Sequence, residues 1–301
     1  MNRLGRDMLW GDAGSTAWTE IDNAVQAEVA RIRVAQLVFP TIQMPGASAV
    51  SNDQFTSATM TITEGQTLPF VEISLEFALT DAQVANEASL HTGRTLAVLA
   101  AKTIAQAEDQ VFFQGTNAPY SIPATNPFPR FLKFANLAGA GLLGIIAAGV
   151  ATGATTAPVP VTRPAGATTY GSATFDGVVK GITQLIGVGH PGPFALFLST
   201  DIYADTYQTV PAGLTTTADR IRPLVTGGYY ATDSLPRPPA APSSTGILVS
   251  LGGEPTTIYI AQDAVTAYPG QLPGGSYGFR VFERVQIVNR DPAALVQLNF
   301  V

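Results

Sequence analysis

Cysteine is absent from this sequence, which removes disulfide staples, thiolate nucleophiles and cysteine-ligated metal centres at once. Histidine is nearly absent too. His91 and His190 stand far apart in the chain, neither in an HExxH-type pair, so the common zinc patterns have nothing to build on and polar turn residues suffice to explain both. Charge is scarce: 13% of the 301 residues are charged, against about 25% in an average soluble chain. Only three lysines occur, Lys102, Lys133 and Lys180, and the net charge is −6, which argues against a general binder of nucleic acid, because neutralising phosphates takes clustered Lys and Arg. There is no GxSxG elbow, no Walker loop, no GxGxxG after a strand and no repeat of 20 to 50 residues.

What is present is apolar. Hydrophobic residues make up 46% of the chain, so a large core or extensive subunit interfaces must hide them, and the interfaces are our reading. The uncharged segment 134–161 invites a membrane reading, but its strongly apolar part, Leu137 to Val150, is shorter than the ~20 residues a bilayer requires and holds four glycines. A buried or interface segment is expected there. The N-terminal "MNRLGRDMLWGDAG" has no apolar core of secretory length, so no signal peptide is read and a cytoplasmic location is expected.

Periodicity divides the chain. After Ser15 or Thr16 as N-cap, Trp18, Ile21, Val25, Val29 and Ile32 share one helical face, and Pro40 closes the element. "FTSATMTIT" reads as an extended hairpin arm and "LPFVEISLEFALT" as a half-buried strand. Thr80 with Gln83 forms a capping-box pattern, and Leu96, Ala100, Ile104, Ala107 and Val111 mark the inner stripe of a long helix stopped by Gly115. A glycine-weakened helix then precedes "PFALFL", which reads as a buried central strand, and Asp201 is read as the cap of the next helix. The last third reads as strands, with hairpin turns at "SLGGEP" and "LPGGSYG". Helices and strands mix without βαβ regularity, so the class is α+β.

The pair Glu108 and Asp109 in "AKTIAQAEDQVFFQG" is the one arrangement that suggests chemistry. Neighbouring residues on a helix point about 100° apart, so the two carboxylates do not converge on one substrate. A structural role is expected, as ion pairs or caps to a neighbouring element or subunit.

Several stretches, in order along nearly the whole chain, resemble the shell proteins of encapsulin nanocompartments: "LGRDMLWGDAGSTAWTEIDNAV", "LPFVEISLEFALT", "AEDQVFFQG", "GPFALFLSTDIY", "YIAQDAVTAY" and "FRVFERVQIVNRDPAALVQL". The resemblance implies the Hong Kong 97-type capsid fold. It implies an N-terminal lumenal helix and lead over 1–44 and an extended arm over 45–69. A peripheral domain over 70–139 and 251–301 would carry a spine helix at 92–114, with an axial domain over 140–250. It further implies a non-enzymatic icosahedral shell of many copies, 60 or a larger icosahedral number, without cofactors or metal. Such a shell would enclose a cargo protein carrying a targeting peptide. The alternative is a major capsid protein of a tailed virus enclosing DNA, the only case with a nucleic-acid partner. On the same resemblance Trp18, Ile21, Val25 and Val29 would form the cargo groove, and Phe55, Met60 and Ile62 a subunit interface. Gln208, Thr209, Val210, Pro211, Ala212, Gly213, Leu214 and Thr215 would form an uncharged loop around a five-fold pore. The stretch between Gly115 and Gly192 is longer than usual in that family, and the arm is shorter.

Overall fold

The computed structural model describes residues 4–10, 16–56, 60–117, 132–208, 215–238 and 243–301. Helix α1 (Thr16–Ile32) is followed by a short 3-10 turn, Ala35–Leu37. Next come β1 (Thr41–Gln43) and the arm strands β2 (Ala49–Ser51), β3 (Gln54–Thr56), β4 (Thr61–Thr63) and β5 (Thr67–Pro69). The long strand β6 (Val71–Leu79) leads through α2 (Asp81–Ala85) and α3 (Glu87–Leu90) into α4 (Thr92–Gln114). Beyond lie β7 (Leu132–Ala135), α5 (Gly141–Thr152), β8 (Val159–Val161), α6 (Ser172–Gly187), β9 (Phe194–Ser199), α7 (Thr200–Thr206), α8 (Thr217–Ile221) and β10 (Gly228–Thr232). The chain finishes with β11 (Ser244–Ser250), β12 (Thr256–Gln271), β13 (Tyr277–Asn289) and β14 (Leu295–Phe300).

Two five-stranded sheets organise these elements. The first has the order β1-β12-β13-β6-β7 and the second β10-β9-β11-β14-β8. The capping box of Thr80 and Gln83 is formed at the start of α2, and the glycine pair Gly274 and Gly275, both at positive φ, closes the β12–β13 hairpin. The arm is two small antiparallel ladders, β2 with β5 and β3 with β4.

One core lies between the first sheet and the helices α1 and α4, with Trp18, Ile104, Phe112 and Phe279 fully buried. A second lies under α6, where Val178 and Leu185 meet Leu248 and Leu298. The second sheet divides the two. Ala195 and Phe197 of β9 belong to the first core while Leu196 and Leu198 belong to the second. Strand β11 alternates in the same way, with Ile247 and Val249 on one side and Leu248 on the other. A strand buried on both faces has no polar side to show, which is why "PFALFL" reads as a continuous apolar run.

Several expectations are corrected here. Ser199, not Asp201, is the N-cap residue of α7; Asp201 lies in its first turn and accepts a hydrogen bond from the Ser244 hydroxyl. "SLGGEP" joins β11 to β12, which belong to different sheets, so it is a crossing between layers and not a hairpin. Strand β14, within the 251–301 segment grouped with the first unit, pairs in the second sheet with β11 and β8. The first helix stops at Ile32, ahead of Pro40, because the chain tightens into the 3-10 turn. The apolar stretch around 141–152 is a twelve-residue helix, α5, and no helix of the described residues is long and apolar enough to cross a membrane.

Helix α4 ends where two backbones touch. Gly115 sits at φ 59, ψ −136, and a Cβ there would lie 2.2 Å from the carbonyl carbon of Ala140. Gly141 faces it, and the Thr116 N–H donates to the Gly139 carbonyl at 3.1 Å. Only glycine permits both the conformation and the approach. We expect Gly115→Ala to destabilise the subunit by about 2 kcal/mol or more, read as a lowered midpoint of thermal unfolding relative to Gly153→Ala, whose open surroundings leave only the backbone cost.

Candidate assembly and docking surfaces

The N-terminal lead clamps α1 to the first sheet. The Arg6 guanidinium donates to both carboxylate oxygens of Asp22 at 2.7 Å and to the Thr266 carbonyl, and it lies 4.9 Å over the Trp18 ring. The Trp18 indole N–H donates to the Leu9 carbonyl at 3.0 Å, and its ring packs 5.9 Å from that of Phe279. Trp18, Ile21, Val25 and Val29 are consequently no more than 1% exposed. This departs from the cargo groove expected at these four residues: the chain's own sheet and α4 occupy that stripe.

The acidic pair does the structural work expected of it. Glu108 pairs with Arg33 and accepts from the Gln36 amide at 2.6 Å, while Asp109 accepts the backbone N–H groups of Val34 and Ala35 at 2.9 and 3.0 Å. The pair thus fixes the turn after α1 on the side of α4. Sequence periodicity puts both residues off the inner stripe, yet both are buried, because the C-terminal half of α4 is covered on more than one face. Burial alone would lower the Arg33 pKa, but the carboxylates of Glu108, Glu283 and Asp263 outweigh it and hold the guanidinium above its ordinary range. Beside this junction a cavity of about 200 Å³ is lined by Ile32, Val34, Gln106, Asp109, Gln110 and Asp233 among others.

The arm turns apolar side chains outward. Phe55 is 39%, Met60 90% and Ile62 63% exposed. Its base is held by the Phe55 N–H donating to the Arg290 carbonyl at 2.8 Å and by the Gln54 amide donating to the Asn289 carbonyl at 3.0 Å. A second unfilled apolar feature is a groove of about 570 Å³ between α4 and the β6 and β13 strands, lined by Leu75, Phe77, Leu96, Leu99, Leu272 and Phe279 among others. Leu96 and Ala100 of the α4 stripe line this groove, but its other walls come from β6, the β12–β13 hairpin and β13, which sequence periodicity does not bring together.

Of the expected pore loop, Gln208 and Thr215 are exposed at its two ends, and Thr209, Val210, Pro211, Ala212, Gly213 and Leu214 lie outside the described residues. The loop leaves α7, where the Tyr203 and Tyr207 hydroxyls are 2.9 Å apart, and returns at α8, whose N-cap Thr216 forms a capping box with Asp219. His91 sits at the α3–α4 junction in the left-handed conformation, and His190 lies 3.3 Å from Asp291. Among the described residues no group of three or more His, Asp or Glu is placed to hold a metal ion.

Residues 1–121 and 134–285 match the model of the family described as encapsulating protein for peroxidase. The chain belongs to the encapsulin family. It is 25% identical over 256 residues to the type 1 encapsulin shell protein EncA of Myxococcus xanthus, covering 85% of this chain and 76% of that protein. In structure it resembles the virus-like particle from Pyrococcus furiosus with a TM-score of 0.62, at 15% identity over 94% of this chain and 99% of that one. It also resembles the capsid of Myoviridae phage XM1 with a TM-score of 0.56, at 11% identity over 90% and 92% of the two chains. The α+β fold is therefore the one shared by encapsulins and Hong Kong 97-type phage capsid proteins. Encapsulins are shell proteins and not enzymes, and this subunit assembles in many copies into an icosahedral protein compartment.

The exposed arm and the buried stripe are opposite in their consequences for this encapsulin. Val25→Asp would place an unpaired carboxylate in the first core at a cost of about 3 kcal/mol or more. We expect it to prevent folding, with loss of soluble protein and of the cooperative transition in circular dichroism. Ala27→Asp, on the exposed face of α1, should leave both unchanged.

Proposed function

We propose that this encapsulin subunit forms a closed cytoplasmic compartment of about 60 copies or a larger icosahedral number, enclosing a cargo protein captured by its targeting peptide. The observation that carries this reading is the arm: an uncharged hairpin with Phe55, Met60 and Ile62 exposed side by side. Such apolar surface is covered in an assembly of copies. The family description names a peroxidase as what such proteins encapsulate, which makes an enzyme of that class one candidate cargo. With the α1 stripe buried, the peptide seat falls to the accessible end of α1, at the cavity bordered by Ile32, Val34 and Gln106. The division into lead (1–44), arm (45–69), peripheral part (70–139 and 251–301) and axial part (140–250) belongs to this reading, with β14 counted by its pairing in the second sheet. Family membership and the shortage of basic residues favour the compartment over a viral capsid enclosing DNA.

Replacing Met60 and Ile62 together by Asp is expected to leave the subunit folded but unable to close particles, seen as small species in light scattering and electron microscopy with unchanged circular dichroism. Particles of wild-type size from the double variant would remove the arm from the interface.

Traffic through the shell gives a second test. Gln208–Thr215 contains no charged residue, so a ring of such loops would lack the charge rings that channels use to select ions by sign. We expect cationic and anionic probes of equal size to enter at rates within about threefold once salt screens the long-range field. Strong sign discrimination at high salt would place other residues at the opening.

A further inference from the structure

Where α1 ends, the buried junction holds more acid than one cation balances. The Arg33 guanidinium reaches Glu108 on α4, Glu283 on β13 and Asp263 on β12, the last at 2.9 Å. Asp109, next to Glu108, accepts the N–H groups of Val34 and Ala35. The charged and titratable groups brought to this junction by the packed elements are thus Arg33 with Glu108, Asp263 and Glu283, and Asp109 alongside on the backbone after α1. Asp233 lines the far wall of the adjoining cavity and is paired with Arg237. Glu108, Asp109 and Glu283 are buried, and one buried oxygen of Glu283, Oε1, has no hydrogen-bond partner. Three ionised carboxylates on one guanidinium, with the buried Asp109 next to Glu108 in the chain, would leave uncompensated charge in a poorly solvated site, so the junction is most stable while it keeps one or more protons.

We propose that this junction is a proton-operated latch, which holds the end of α1 and the turn after it on α4 and β13 while protonated and loosens them as protons leave. The titration properties agree with the geometry. Burial pushes Asp109 up to about 7, with the Glu108 carboxylate adding to the rise. Burial raises Glu108 against the pull of Arg33, and burial followed by the nearness of Glu108 raises Glu283 well above the usual carboxylate range. The direction follows from linkage. An acid whose folded-state pKa is raised gives its full stabilisation below its unfolded value, about 4, and loses it as pH climbs through the folded value. The latch therefore opens on the alkaline side. Opening would also reshape the cavity lined by Ile32, Val34 and Asp109, and nothing in the device depends on what the shell encloses.

Hydrogen exchange on the full-length protein without cargo tests this. After correction for the intrinsic pH dependence of exchange, protection of the Val34 and Ala35 amides should fall about tenfold between pH 6 and pH 8, as one group titrating near 7 requires. The amides of β9 and β11 should keep theirs. Asp109→Asn removes the group that titrates near 7 while retaining a carbonyl acceptor for the backbone after α1, and it should flatten the profile and preserve protection at high pH. If that variant does not fold, Glu108→Gln, which removes the carboxylate that adds to the Asp109 rise, should give a shallower fall than wild type between pH 6 and pH 8. A wild-type profile flat across this range overturns the latch, as does a fall of unchanged depth in whichever variant folds.

Discussion

The C-terminal half of α4 is walled in, and the rest of the molecule is arranged around that constraint. From Ala107 to Gln114 every residue is buried, with α1 on one flank, β6 and β13 on another and α5 at the end. A helix enclosed in this way cannot leave its polar side chains to water, so they draw partners from neighbouring elements, the Gln110 side-chain oxygen excepted. Glu108 and Asp109 take theirs from Arg33, Gln36 and the backbone after α1, and the Gln114 amide donates to the Ser234 carbonyl at 2.5 Å. These contacts join the N-terminal helix, the first sheet and the connection out of the second into one body. They also explain how a chain poor in charge comes to bury several carboxylates at one point.

The second sheet extends the same logic. Because β9 and β11 are apolar on both faces, a single sheet closes two cores and leaves no polar face of its own. Among the described residues, exposed apolar groups include those of the arm, Leu99 and Leu272 at the open groove beside α4, and Val179 and Ile186 on the outer side of α6. Wherever copies of a shell subunit meet, charge at the contact would carry a desolvation penalty. The composition is thus a consequence of assembly as much as of folding.

What the sequence determined by itself was local and periodic. The α1 stripe, the half-buried β6, the capping box at Thr80, the glycine stop at Gly115 and the arm hairpin were legible because each depends on residues within a few positions of one another. So was the non-convergence of Glu108 and Asp109, which is a property of helix geometry. The tertiary structure alone decided what covers each face. It put α1's apolar stripe against the chain's own sheet and not toward a peptide, sent β14 into the second sheet, and turned "SLGGEP" into a crossing between layers. It also brought Arg33 from the end of α1 to carboxylates on α4, β12 and β13. Periodicity states that a face is apolar but is silent on the identity of its partner. That choice is made by contacts between residues far apart in the chain, which no local pattern encodes.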